Sequence, residues 1–283
     1  MASHTRKRIR LGRRLRELRE ARGITLATAG AAIQGDGPKV SRQEHAKAYV
    51  SAHDLAIYFQ LYEVTPEAQP ELLDLLVQKR IRHWWQEFAN DINANLAEVI
   101  ALEDDAAEVL EYQPNVIPGL LQTKSYANTI VGTGFNAYGP DQAEALVTVR
   151  EMRQRLLRED EPLTYHAIAT EAALHFDVGG PDVMRAQMLH LIDEMTTLPN
   201  VTFQIVPFTA GRMAAQAAGF TILKFEDSDD PDAAWMEGVG GMIPRDSGRE
   251  IRLYNRLFDE IASAALSPAD TAALLRERSG SLR

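Results

Sequence analysis

Two cationic side chains lie three residues apart in the segment 37–47, where Lys39 and Arg42 flank Ser41. Residues three apart in a helix share a face, so both cations would project from the same side. An arginine can donate paired hydrogen bonds to guanine, and a lysine or a serine can reach a phosphate or a base edge. This combination indicates a helix that reads double-stranded DNA in the major groove.

The sequence around this segment predicts the helices that must hold it. Isoleucine and leucine recur near helical spacing over 5–22, with arginines between them, and Gly23 is a typical helix end. Thr25 can cap a second short helix that extends to about Ile33, and small residues in that helix allow close packing. Apolar spacing predicts another helix over 52–62.

A turn precedes the reading helix, with the sequence Gln-Gly-Asp-Gly-Pro. Gly35 permits the turn, Asp36 offers an N-cap oxygen, and Pro38 fits the first turn of a helix over 37–47. A short helix, a glycine turn and a second short helix form a helix-turn-helix.

The net charge of −10 is divided unevenly along the chain. Residues 1–47 contain 12 Lys and Arg against 4 Asp and Glu, whereas residues 48–283 contain 18 against 36. A basic head attracts phosphate, and an acidic body does not adhere to the duplex. We therefore add the arginines of the first helix as phosphate contacts. The predicted DNA-contact residues are Arg10, Arg13, Arg14, Thr25, Gly37, Lys39, Ser41 and Arg42.

Composition excludes several classes of protein and of functional site. The chain is 45% hydrophobic and 25% charged, as in globular proteins, and it has no cysteine for a disulfide, a thiolate zinc site or a nucleophile. No apolar core of a signal peptide follows the basic N-terminus, and no apolar run approaches the roughly 18 residues of a membrane span. We expect a cytoplasmic protein without membrane contact, associated with the nucleoid when bound to DNA.

After residue 66 the pattern becomes mixed. Helical spacing dominates 71–110, and strands are predicted over 164–169, 201–206, 220–225 and 234–237. The predicted fold class is α+β and mostly helical. An all-α helix-turn-helix domain over 1–66 is followed by a helical domain with a small antiparallel sheet over 67–283.

Three groups of residues in the body invite a functional interpretation. Arg150, Arg153 and Gln154 share a helical face, and an internal structural clamp is favoured over a carboxylate-binding site. Adjacent Trp84 and Trp85 point in different directions, so we expect one in the core and one at an interface. The acidic run over 103–108 is expected to be a solvated face.

The head resembles the XRE (phage-repressor-like) helix-turn-helix family. The resemblance rests on Leu15-Arg16-x-Leu18-Arg19, on Gly23-Ile24-Thr25, and on Val40-Ser41-Arg42-x-Glu44. It implies operator binding through the helix 37–47. The sequence departs from the family at Gly37-Pro38, where polar base-reading residues are usual, and at Gln43, where the family has an aliphatic core residue.

The body resembles the C-terminal domain of WhiJ-type regulators of actinobacteria. The motifs appear in order as Trp84-Trp85, Pro118-Gly119-Leu120-Leu121-Gln122-Thr123, Arg150-x-x-Arg153-Gln154, Val178-Gly179-Gly180-Pro181 and Val206-Pro207-Phe208. The resemblance implies an antitoxin-like transcriptional regulator and, as a possible partner, a small acidic protein.

Several short motifs resemble those of enzymes, but none has the surrounding sequence that the enzyme site requires. Residues 132–137 match the letters of a dinucleotide fingerprint, but no strand precedes them. His166, His175 and His190 lack metal-ligand spacing, and no Gly-x-Ser-x-Gly motif is present. We expect a protein without catalytic activity, cofactor or metal.

Two hypotheses remain. The first is a DNA-binding transcriptional regulator, a homodimer because a single helix-turn-helix buries little DNA surface, with dimerisation and effector or partner input in the body. The alternative is an antitoxin-like module that binds a small acidic partner, with weak or lost sequence-specific DNA binding.

Overall fold

The computed structural model describes residues 4–77, 84–133, 140–213, 215, 218–226, 232–238, 241–245 and 247–282. The chain forms two compact units, Met1–His83 and Trp84–Arg283, called here the head and the body. No helix among the described residues is long and apolar enough to cross a membrane.

The head is all helical. Its helices are α1 (His4–Ala21), α2 (Leu26–Ala32), α3 (Gly37–Glu44), α4 (Ala52–Leu61) and α5 (Gln69–Asp74). Leu15, Val40 and Leu55 are buried at the centre of one apolar cluster. Leu72 and Leu75 belong to the same cluster, so the packing of the head continues beyond residue 66 and includes α5.

The helix starts follow local capping chemistry. The Thr25 hydroxyl accepts a hydrogen bond from the Thr28 amide at 3.1 Å, and the Asp36 carboxylate accepts one from the Lys39 amide at 2.7 Å. Both predicted caps are confirmed. α3 ends at Glu44, before the expected residue 47, and Ala46 just beyond has a left-handed φ of 55°.

The turn before α3 differs from the expectation in one residue. Gln34, with φ of 51°, is its left-handed residue, whereas Gly35 is absent from the positive-φ positions of the described chain. A Cβ atom at Gly35 would lie 2.9 Å from Cδ of Lys39. Gly35 therefore leaves space for the Lys39 side chain, and the assignment of the turn conformation to Gly35 was wrong.

The body contains one six-stranded sheet in the order β3-β2-β1-β4-β5-β6. Its strands are β1 (Glu108–Gln113), β2 (Thr164–Thr170), β3 (Val201–Val206), β4 (Phe220–Lys224), β5 (Ala233–Gly238) and β6 (Gly241–Arg245). β1 pairs in parallel with β2, and β2 with β3. The pairs β1–β4, β4–β5 and β5–β6 are antiparallel.

Helices connect and cover this sheet. They are α6 (Ala94–Glu103), α7 (Lys124–Thr133), α8 (Pro140–Arg153), α9 (Pro181–Thr197), α10 (Gly248–Ala264) and α11 (Pro268–Ser281). α7 and α8 lie between β1 and β2 in the chain, and α9 lies between β2 and β3. Parallel neighbours need such crossovers. Phe258 and Ile261 of α10 pack in one cluster with Leu110 and Phe220 of the sheet.

The α+β class is confirmed, but the purely antiparallel sheet was wrong. β1 begins inside the stretch 71–110, which was assigned to helices, and runs beyond it. The strand was not predicted because Glu108, Glu111 and Gln113 interrupt its apolar alternation. Once β1 is placed between β2 and β4, the helical crossovers make half of the sheet parallel. Short 3-10 segments, including 84–88, 119–121 and 154–157, complete the body.

Candidate nucleic-acid interface

α3 is held by backbone-to-backbone contact with its neighbours. A Cβ atom on Gly30 of α2 would lie 2.4 Å from the carbonyl carbon of Asp36, at the start of α3. A Cβ atom on Gly12 of α1 would lie 2.5 Å from the carbonyl oxygen of Glu44, at its end. Only glycine fits at either point without displacing backbone, so these two residues fix both ends of α3.

A buried ion pair joins α1 to the end of α3. The Arg19 guanidinium donates to both carboxylate oxygens of Glu44, at 2.6 and 2.9 Å, and to the Ile24 carbonyl at 2.8 Å. The hydrogen bonds to Glu44 raise the pKa of Arg19, although burial acts in the opposite direction. The pair therefore orients α3, and neither member is available to DNA.

A polar network takes the place of the aliphatic core residue expected at position 43. Gln43 is buried; its amide accepts from the Tyr58 hydroxyl at 2.6 Å and donates to the Asp54 carboxylate at 2.8 Å. Burial, with the charge of nearby groups, raises the pKa of Tyr58, so its hydroxyl remains a donor. The network satisfies Gln43 and connects α3 to α4.

The same network engages Lys39, one of the two predicted cations. Its Nζ lies 3.0 Å from Oδ2 of Asp54, whose side chain is 7% exposed. An ion pair to a buried carboxylate anchors one end of the lysine, although 37% of its side chain is exposed. Sequence spacing placed Lys39 on the DNA-facing side, but the structure turns its charge toward α4.

The exposed face of α3 carries Arg42. Pro38, Arg42 and His45 are exposed at successive turns, and Ser41 is half-buried beside them. Among the described residues, Arg42 forms no ion pair, so its guanidinium remains available. Gly37 is half-buried, and a Cβ atom there would lie 3.4 Å from the Ala27 amide of α2, which makes Gly37 a packing position.

The arginines of α1 lie elsewhere on the head. Arg14 contacts Glu17 at 2.8 Å and Glu71 of α5 at 3.8 Å. It follows Gly12, which faces α3, by two residues and hence by about 200° around the helix axis. Arg13 lies 4.0 Å from Glu17, and Arg10 is half-buried. The structure brings Thr25, Ser41 and Arg42 to the helix-turn-helix but separates Arg14 from them.

The sequence did not predict the positions of three residues near α3, which are Arg8, His45 and Tyr49. His45 is exposed one turn after Arg42, and its Nδ1 lies 2.7 Å from the Ser41 carbonyl oxygen. Arg8 stacks its guanidinium 4.3 Å from the ring centroid of Tyr49 and donates to the Ala46 carbonyl in the loop after α3. The basic run at the N-terminus signalled Arg8, but no sequence pattern places it at that loop.

In the body, the predicted clamp exists for two of its three residues. Arg153 donates to both oxygens of buried Glu103 at 2.7 Å, and Gln154 donates to the Gln122 carbonyl at 2.7 Å. The expectation of a solvated acidic face was therefore wrong for Glu103. Arg150 differs, since it donates to the Gln122 side chain and has no ion pair among the described residues.

The two adjacent tryptophans both pack against the same apolar cluster. Trp84 and Trp85 are half-buried against Ile92, Ile100 and Val149. The Trp84 indole also donates to Asp104 at 3.2 Å. Both side chains therefore pack within the body without being fully buried, and a role of either one at an interface stays a prediction.

The remaining motif yields no structural site. Gly132 belongs to α7, and residues 134–139 of the dinucleotide-like stretch lie outside the described residues. Within the described ranges, no group of three His, Asp or Glu side chains could hold a metal ion.

The sequence matches two family models. Residues 96–277 match the one described as domain of unknown function DUF5753. The chain belongs to the DUF5753 family. Residues 10–72 of this DUF5753 protein match a helix-turn-helix domain, which supports a DNA-binding regulator of the XRE-like type. No curated protein and no solved structure matches the sequence.

Proposed function

We propose that this DUF5753 protein is a non-catalytic transcriptional regulator that reads an operator with the exposed face of α3. The observation that carries the proposal is Arg42, an exposed guanidinium on a helix whose other charged side chains, Lys39 and Glu44, are engaged within the head. Base discrimination therefore depends on Arg42. Thr25 at the start of α2, Ser41 in α3, and Arg8, which contacts the loop after α3, supply phosphate contacts.

Binding of the full chain to DNA from its gene's own upstream region tests this proposal. Fluorescence anisotropy compares that DNA with random DNA of equal length, at two salt concentrations. We expect Arg42→Ala to cost about 1–3 kcal/mol on the upstream site and little on random DNA. Arg256→Ala, which removes an exposed charge from α10 of the body, is the matched control. Equal losses on both DNAs would make Arg42 a phosphate contact instead.

We further propose that the body provides dimerisation and effector or partner input. The exposed large apolar side chains of the body support such a contact; Trp84 and Trp85 are not among them. They include Phe176, Leu189, Phe208 and Leu253.

A fragment ending at residue 77 tests the role of the body, because it retains Leu72 and Leu75 of the head core. We expect this fragment to be a folded monomer that binds DNA weakly. The full chain is a dimer that binds far more tightly, since the second half-site contact becomes intramolecular. Light scattering and DNA titration are carried out on the fragment and on the full chain. A dimeric fragment with full affinity would contradict the assignment.

The second candidate is an antitoxin-like module that binds a small acidic protein. The observation that favours it is the engagement of Lys39 by Asp54, which leaves α3 with few groups able to read bases. Under this hypothesis, Arg42→Ala weakens binding to the upstream and random DNA equally, because neither is read specifically.

A further inference from the structure

The body contains a cavity of about 380 Å³ that is open to solvent on one side, within the range of small-molecule sites. It lies among α6, α7, α8, the segment 119–121 and one end of the sheet. Much of its wall is aliphatic and includes Leu96, Ile130, Leu146 and Val149. A wall of this kind favours the apolar part of a ligand.

Arg150 lines this cavity without an ion pair among the described residues. Its Nη1 donates to the Gln122 side chain, and no carboxylate oxygen among the described residues lies within 4.0 Å of the guanidinium. Burial, together with the nearby charge of Arg153, lowers the pKa of Arg150, although the charges of Glu237 and Glu111 act in the opposite direction. Arg153 itself is neutralised by Glu103. The surroundings of Arg150 therefore favour the approach of an anionic group.

Glu237 of β5 lines the same cavity with the opposite charge. The side chain is solvent-exposed, but the surrounding protein and the negative charge of Glu111 raise its pKa. Glu111 is already satisfied, since it accepts from the Tyr165 hydroxyl, the Gln113 amide and the Gly119 backbone. The Glu237 carboxylate accepts a hydrogen bond from the Gln113 side chain, and its remaining lone pairs can accept from a cationic donor.

We propose that this cavity binds a small zwitterion with an apolar side chain, such as an α-amino acid. Its anionic group contacts Arg150, its ammonium group donates to Glu237, and its side chain packs on the aliphatic wall. A simple anion would leave Glu237 with only the Gln113 hydrogen bond, and a simple amine would leave Arg150 with only the Gln122 side chain. The site would supply the effector of the proposed regulator. Ligand binding itself does not depend on the proposed function; only the role of the ligand as an effector rests on it.

Three matched compounds test this site by calorimetry on the full chain without DNA. L-phenylalanine carries both charges, 3-phenylpropanoate lacks the ammonium group, and 2-phenylethylamine lacks the carboxylate. We expect saturable binding with one phenylalanine per chain, and binding weaker by about tenfold for each compound that lacks one charge.

Variants connect each charge of the ligand to a residue. Arg150→Met reduces phenylalanine to the affinity of phenylethylamine, and Glu237→Gln reduces it to that of phenylpropanoate. Gly119→Leu weakens all three, because only Nε of Arg150, at 3.9 Å, lies within 4 Å of a Cβ atom there, and the new side chain fills the cavity. Arg256→Met, on an exposed face of α10, changes nothing. Thermal unfolding checks that each variant is folded.

Absence of saturable phenylalanine binding overturns the proposal, as does equal binding of all three compounds. Unchanged affinity in folded Arg150→Met overturns it as well. These outcomes are independent of DNA binding, and Arg42→Ala must bind phenylalanine with unchanged affinity. Failure of the ligand site is therefore distinguishable from failure of the proposed regulator.

Discussion

Both the head and the body contain an arginine that is bound by a buried glutamate and an arginine that has no ion pair among the described residues. Arg19 pairs with Glu44 in the head, and Arg153 pairs with Glu103 in the body. Arg42 and Arg150 have no such partner among the described residues. The difference between the units lies in where the unpaired guanidinium is placed, at an exposed surface in the head and in a cavity wall in the body.

This difference determines which ligand each arginine suits. Arg42 is hydrated, so its attraction to an anion is weak per contact and screened by salt, which fits one contact among many on a polyanion. Arg150 is surrounded by protein of lower dielectric constant, where a single anionic group interacts more strongly and is screened less. A small ligand with few contacts can therefore be held in the body but not on α3.

Removing the glutamate of either buried pair should have the largest effect. Glu44→Ala and Glu103→Ala each leave a buried guanidinium unpaired. Each change should lower the free energy of unfolding of its own unit by about 3–5 kcal/mol. All three tryptophans follow residue 83, so tryptophan fluorescence follows the body, whereas circular dichroism follows both units. Glu44→Ala should shift only the dichroism transition of the head, and Glu103→Ala should shift both signals.

The control for this experiment is Glu17→Ala. Glu17 is 52% exposed and pairs with exposed Arg14, so its loss should cost less than about 1 kcal/mol. A shift of the tryptophan signal in Glu44→Ala would show that the two units do not unfold separately.

A smaller effect is expected at the glycines. Gly30→Ala forces a Cβ atom to within 2.4 Å of backbone and should destabilise the head by about 1–3 kcal/mol. The matched change in the body is Gly132→Ala in α7, where no atom of the described residues lies within 4 Å of the new Cβ atom, and helix propensity predicts stabilisation of up to about 1 kcal/mol. Thermal unfolding measures both variants. Equal effects would contradict the close approach of α2 to α3.

The smallest effect is expected for the arginines on the other side of α1. Arg13→Gln with Arg14→Gln removes two charges that lie near Glu17 and, for Arg14, near Glu71. We expect the slope of log affinity for DNA against log salt to change by less than about one unit, whereas direct phosphate contacts would change it by about one unit each. Anisotropy titrations across salt concentrations measure the slope. A change of two units would place this side of α1 on the DNA.

Much of the head was predictable because its signals are local. The caps Thr25 and Asp36 and the exposed position of Arg42 follow from residue type and spacing over a few residues. The engagement of Lys39 was not predictable, since its partner Asp54 lies in another helix. Residues that share a helical face can still have different environments, because each faces whatever the tertiary structure packs nearby.

By itself, the sequence determined the α+β class, four of the strands, a basic head on an acidic body, and the start of α3. Only the tertiary structure decided that β1 is central and parallel to β2, and that Arg153 is clamped while Arg150 faces a cavity. The physical reason is the distance along the chain over which each kind of interaction acts. Helical and strand periodicity are set by neighbouring residues, whereas the partner of a buried charge is set by segments far apart in the chain, such as Glu103 and Arg153.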